Sequence, residues 1–444
     1  MKERIQLSDH FTYKRLIRFV LPSVIMMIFT SVYGVVDGLF VSNFVGKTEF
    51  AAINLMMPLL IILGAVGFML GAGGTAVVAK TLGMGEREKA NEYFSLLVYV
   101  TAAAGAVLGL VGIICARPVA MFLGAEGDML GYCVTYTRIN LLALPCFMLQ
   151  NIFQTFFITA EKPKLGLFMT VLAGVTNIIL DALFVAVLDL GLEGAAAATA
   201  LSQAVGGLLP VIYFARKNTS LLRIGKTKLY LGMLASTCIN GSSELMSNVS
   251  ASIVTIFYNF QLMRFAGENG VAAYGAIMYV AFIFVAMFIG FAIGSSPIVS
   301  FHYGAGNTDE LKNMRKKSIV LMCLVGAAMT ATALAVSVPL CKLFVGYDDV
   351  LFEITLRGFI IYAFSYLLAG VNIFGSSFFT ALNNGVISAV ISFLRTLVFQ
   401  ISAVLILPIF FELDGVWFSI IASELLTLAV TVAFLVVKKK QYNY

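Results

Sequence analysis

Twelve apolar stretches, each parted from the next by a short polar break, occupy nearly the whole chain, at approximately 14–45, 51–82, 92–115, 128–158, 164–188, 192–216, 228–262, 270–302, 312–344, 350–382, 385–411 and 413–438. Each is long enough, at about 1.5 Å per helical residue, to cross a hydrocarbon layer of roughly 30 Å. The pattern predicts an all-α integral membrane protein with twelve transmembrane helices. Residues 1–18 are polar and basic, and the apolar run behind them is too long for the core of a cleavable signal, so the first helix is expected to stay in the mature protein.

Composition supports this class, with 60% hydrophobic and 12% charged residues among 444 and a mean hydropathy of +0.96. The basic residues divide unevenly between alternate breaks. One side collects Lys2, Arg4, Lys14, Arg15, Arg18, Lys80, Arg87, Lys89, Lys162, Lys164, the run from Arg216 to Lys228, Lys312 to Lys317 and Lys438 to Lys440, whereas the other holds Lys47, Arg117, Arg264 and Lys342. An even number of spans puts both termini on the basic side, which predicts a multi-pass protein of the cell inner or plasma membrane with both termini cytoplasmic. The net charge of +6 is therefore a topology signal, and no nucleic-acid partner is expected.

The six cysteines lack metal or disulfide spacing, His10 and His302 have no partner pattern, and no phosphate loop or metal cluster is present. Neither an enzyme nor a bound cofactor is expected, and an ion gradient is left as the energy source.

An internal repeat organises the chain. At a constant offset of 221, Gly73-Gly74-Thr75 overlies Gly294-Ser295-Ser296, Gly83-Met84-Gly85 overlies Gly304-Ala305-Gly306, and Asn151 overlies Asn372. Each repeat holds six helices, so both enter the membrane in the same direction and are related by an axis along its normal. The expected organisation is an N-terminal bundle over 1–217, a cytoplasmic connector over 218–228 and a C-terminal bundle over 229–444, facing each other across a cleft.

The motifs Leu21-Pro22-Ser23, Val36-Asp37-Gly38-Leu39-Phe40-Val41, Gly71-Ala72-Gly73-Gly74-Thr75-Ala76 with Leu82-Gly83-Met84-Gly85, and Pro297 to Gly306 resemble those of multidrug and toxic compound extrusion (MATE) transporters, specifically the prokaryotic branch with an aspartate in the first helix. The resemblance covers essentially the whole chain. It implies cation-coupled export of amphipathic, mostly cationic compounds, with a cation site formed by Asp37, Asn177, Asp181 and Thr199.

Spacing points to the same residues. An ionised group inside a membrane helix costs about 2.5 to 3.5 kcal/mol even on lenient insertion scales, so Asp37 and Asp181, each alone in an apolar run, are functional candidates. Asn177 and Asp181 lie one turn apart on one helix face, and topology puts Asp37, Asp181 and Thr199 in the outer halves of their helices. Their oxygens suit a hard cation such as Na⁺ or a proton, since two adjacent carboxyl groups in a low dielectric cannot both ionise cheaply. The offset carries the four residues onto Tyr258, Val398, Ser402 and Ile420. Coupling is therefore expected in the N-terminal half alone.

Substrate contacts are expected from Glu244, Met26, Met56 and Tyr258, whose acidic, thioether and aromatic groups suit varied cations. Glu244 serves either as counter-charge to a cationic substrate, or it or Glu424 pairs with Arg395 as a structural ion pair. Pro22, placed inside the first helix, permits a bend on which coupling acts. The expected partners are the bilayer and small organic cations, and the expected state is a monomer. A flippase or exporter of a specific lipid-linked or small metabolite on the same two-bundle plan is the alternative.

Overall fold

The computed structural model describes residues 5–444, apart from the side chains of Leu39, Ser42, Asn43 and Lys47. Lys2, Arg4 and the Lys47 side chain among the predicted topology charges thus lie outside the described residues. Helix α1 is Tyr13–Phe44, α2 is Lys47–Gly83 and α3 is Arg87–Phe122. Helix α4 comprises Gly127–Leu142 and Leu144–Thr159, bent by 52°. Pro145 stands at this break and has no N–H to continue the helix. Helix α5 is Pro163–Asp181, widening into a π-turn over Ala182–Val187, and α6 is Gly191–Ala215.

A non-helical connector leads to Leu231–Gly304, whose hydrogen bonding runs through a reversal at Gly267 (φ 60°, ψ −147°). In a straight helix Tyr258 and Tyr274 would stand roughly 24 Å apart along the axis. Their rings instead stack at 5.0 Å. The chain therefore doubles back, giving α7 before Gly267 and α8 after it.

Helix α9 is Thr308–Val345, and α10 comprises Asp349–Ala363 and Tyr366–Ala381, bent by 51°. Tyr366 stands where the repeat has Pro145, so the bend recurs without its proline and is imposed by packing. Tyr366 is fully buried and stacks on Phe284 at 5.2 Å. Helix α11 starts as Gly385–Phe393, passes through a π-turn at Leu394–Val398 and continues to a second reversal at Glu412 (φ 49°, ψ −128°). Helix α12 runs on to Val437, and a last short turn, Lys439–Tyr442, follows. Two bends and two reversals thus resolve the apolar helices into the twelve legs that the hydropathy pattern predicts.

The legs form two lobes, α1–α6 and α7–α12. Lipid tails are as apolar as leucine, so helices associate in a membrane through close packing, for which small residues are used. A Cβ on Gly83 would fall 2.0 Å from the Phe301 carbonyl oxygen, and one on Gly304 would fall 2.0 Å from that of Lys80. The repeat offset converts Gly83 to Gly304 and Lys80 to Phe301. These are one contact seen from its two sides, as an isologous interface requires.

Nearby, Gly73 meets the Thr237 carbonyl, Gly241 meets that of Met69, and Gly290 and Gly294 admit Val24 and Val20 of α1. The Asn383 amide also donates to the Ala76 carbonyl at 3.2 Å. All these approaches lie toward the end of the bundle that carries the termini, where the lobes are closed against each other.

Candidate functional site: a buried acidic pair beside an interlobe cleft

Gly174, Asn177 and Asp181 form one stripe along α5 at i, i+3 and i+7, and Phe29, Tyr33 and Asp37 form a stripe along α1 at i, i+4 and i+8. Gly174 lets the stripes meet, because a Cβ there would lie 2.5 Å from the Phe29 ring and 3.1 Å from that of Tyr33. This close approach carries the Asp37 carboxyl group up to Asp181 and Asn177. Asp181 is fully buried, Asn177 is 2% exposed and Asp37 is half-buried.

Three carboxylate oxygens, Asp37 Oδ1 and both of Asp181, are buried with no hydrogen-bond partner in good geometry, and the Asn177 amide nitrogen, although beside Asp37, makes no well-formed bond either. Buried polar atoms are normally partnered, so such a concentration of unmet acceptors is unusual. It fits a proton or a small cation held by these oxygens. The π-turn starts at the residue after Asp181, and π-turns inside α-helices are frequent at functional sites.

Tyr136 of α4 joins this group. It is 6% exposed and close enough to both aspartates to feel their charge. Its sequence signal is the polar run Thr135-Tyr136-Thr137-Arg138 inside an otherwise apolar leg, which the reading of isolated carboxylates passed over. Thr199 stands half-buried on α6, with its carbonyl accepting from the Ser202 hydroxyl at 2.8 Å. Its hydroxyl is not among the described contacts of either aspartate.

In the other lobe the buried acid is satisfied. Glu424 Oε1 accepts from Arg395 Nε at 2.9 Å and Nη2 at 2.7 Å, while Asn372 Nδ2 donates to Oε2 at 2.7 Å. Of the two carboxylates considered as partner to Arg395, Glu424 is the one that pairs. Among the described residues Glu244 forms no ion pair, and it stands exposed on the cleft, where it lines a cavity of about 160 Å³ with Thr75 and Thr155 of the first lobe and Ser376 and Arg395 of the second.

The remaining residues expected on the cleft lie in packed interiors instead. Met56 and Met26 are 0% and 1% exposed, and Tyr258 is 2% exposed against Tyr274. Pro22 is buried within α1, which continues as helix through it.

The MatE family profile matches residues 22–183 and 245–406, once in each lobe and at nearly the offset of the internal repeat. The chain belongs to the MATE family. Its members are membrane transporters, not enzymes. The multidrug export protein MepA of Staphylococcus saprophyticus is 24% identical over 435 residues, covering 94% of this chain and 92% of the relative.

Among solved structures, a MATE protein in complex with MaL6 superposes with a TM-score of 0.94 at 22% identity over 100% of both chains. The outward-facing conformation of a multidrug resistance MATE family transporter superposes with a TM-score of 0.93 at 21% identity, over 100% of this chain and 99% of that one.

Proposed function

We propose that this MATE protein is a cation-coupled antiporter that exports amphipathic, mostly cationic compounds by alternating access, with Asp37, Asn177 and Asp181 holding the coupling H⁺ or Na⁺ and Thr199 at the margin of that site. The observation that carries this reading is the set of three unpartnered carboxylate oxygens buried between α1 and α5. The MepA relatives are multidrug export proteins, and the exposed Glu244 supplies a counter-charge on the cleft.

Substrate binding and cation binding act against each other through the two-lobe equilibrium, because a ligand shifts such an equilibrium only by its differential affinity for the two states. Both termini lie in the cytoplasm, following the basic bias, which puts the closed end of the bundle on the cytoplasmic side. The protein works as a monomer in the plasma membrane. A flippase for anionic lipid-linked sugars would need free cations in the cleft, whereas Arg395, the basic residue of this cavity, is already bonded to Glu424.

The test is efflux from proteoliposomes under separately imposed pH and Na⁺ gradients, across a panel of cationic dyes. Efflux driven by at least one gradient and lost in Asp37→Asn supports the reading. Efflux indifferent to both gradients rejects it.

A further inference from the structure

We infer that the segment 6–12, ahead of α1, is a strap that clamps the lobes together at the end carrying the termini, with Glu310 as its anchor and thus a positioning residue for export. The segment is covalently part of the first lobe. Its apolar side chains are seated where the lobes meet: Leu7 and Phe11 are both 0% exposed, in a cluster that joins Phe19 and Val20 of α1 to Ile298, Val299, Leu311 and Met314 of the second lobe, and the Phe11 ring stands edge-on to that of Phe19 at 5.8 Å.

The polar contacts repeat this crossing. Glu310, in the first turn of α9, accepts from the Phe11 N–H at 2.9 Å and from Asn313 Nδ2 at 2.6 Å through Oε1, and its Oε2 lies 2.6 Å from His10 Nδ1. His10, for which the sequence offers no partner, therefore has one. The Phe11 carbonyl accepts from Asn313 Nδ2 at 3.0 Å and Lys317 Nζ at 2.7 Å, so both backbone polar groups of this one residue are held by α9. Upstream, the Leu7 N–H donates to Glu161 Oε1 at 2.8 Å, which returns the strap to the first lobe at the α4–α5 turn. Outside regular structure a buried peptide has no ladder partner. Here two carboxylates, 5% and 9% exposed, supply the acceptors that the strap needs.

These contacts cross the boundary that alternating access must open, and in this respect the inference rests on the export reading. Parting the lobes strips Phe11 of the second-lobe side of its seat and removes its backbone from Glu310. Contacts made in one state and lost in the other bias the equilibrium between them.

The experiment measures distances between spin labels at Glu88→Cys and Lys316→Cys, exposed positions in different lobes, in the full chain with its six native cysteines replaced. Glu310→Gln is expected to raise the ratio of separated to closed populations at this end about tenfold, a hydrogen-bond-sized effect involving a charge. Phe11→Ala is expected to raise it about a hundredfold by emptying a buried aromatic seat. Glu161→Gln, at the far end of a segment still rooted in α1, should act less than Glu310→Gln. Export of a cationic dye at saturating substrate is expected to change with the population, while thermal unfolding moves little in Glu310→Gln. If the wild-type distance lengthens with substrate or gradient but Glu310→Gln and Phe11→Ala leave its distribution unchanged, the strap is rejected and the export reading stands. A wild-type distance that never lengthens during demonstrated export contradicts alternation itself, and the strap with it.

Discussion

In the first lobe, Asp37 and Asp181 face each other with three carboxylate oxygens unpartnered, whereas in the second, Glu424 is held by Arg395 and Asn372. Both lobes carry a π-turn in this neighbourhood, directly after Asp181 in one and around Arg395 in the other. The helix plan is shared and the treatment of buried charge is opposite. A buried acid bonded to arginine is already neutralised and acts as structure. A buried acidic pair with no bonded cation in the protein presents its demand for charge to the solvent and to ions, which suits a coupling site.

The largest expected effect breaks the acidic side of this comparison. Asp37→Asn or Asp181→Asn should abolish gradient-driven efflux in proteoliposomes while the purified protein keeps its elution profile. Glu424→Ala should do something different: it leaves Arg395 without its counter-charge and lowers stability by about 3 kcal/mol, the lower end of the range for a broken buried pair because Arg395 is 22% exposed. Thermal unfolding in detergent reads this, and a stable but uncoupled Glu424→Ala would erase the distinction between the lobes.

A smaller effect is expected from Gly174→Ala, whose added methyl group presses on Phe29 and separates α1 from α5 at a cost of about 1–3 kcal/mol. Its coupling should weaken along with its stability. Glu244→Gln should weaken export of monovalent cations several-fold more than that of neutral amphiphiles, because discrimination needs a differential contact. Equal losses for both substrate types would deny Glu244 its place in charge recognition. The smallest effect belongs to Tyr258→Phe. The Tyr258 hydroxyl makes no hydrogen bond of good geometry, so its removal should leave coupling intact and change stability by less than about 1 kcal/mol.

The twelve legs were legible because membrane spans announce themselves by length, and the breaks at Gly46, Gly85 and Gly306 agree with the helix ends to within a few residues. Asn177 and Asp181 were legible because four residues make about one helical turn. Tyr136 was not, since which face of α4 turns toward the two aspartates depends on the bend at Pro145. The choice of Glu424 over Glu244 as partner to Arg395 was hidden for a related reason: Arg395 sits inside a π-turn, where a 3.6-residue period no longer reports side-chain direction. Met26 and Met56 were hidden because a membrane helix is apolar on its lipid face as well as its packed face. Ile114, 68% exposed on α3, and Met56, fully buried on α2, look alike in hydropathy.

The account's central claim is that one buried acidic pair is contested by cation and substrate through the two-lobe equilibrium. Substrate affinity measured against pH and against Na⁺ in purified protein, for the wild type and Asp37→Asn, tests it most directly. Affinity in the wild type should rise as protons are withdrawn and fall as Na⁺ is added, and both dependences should flatten in Asp37→Asn. A wild-type affinity independent of both ions, for a substrate that the same protein demonstrably exports, would contradict it.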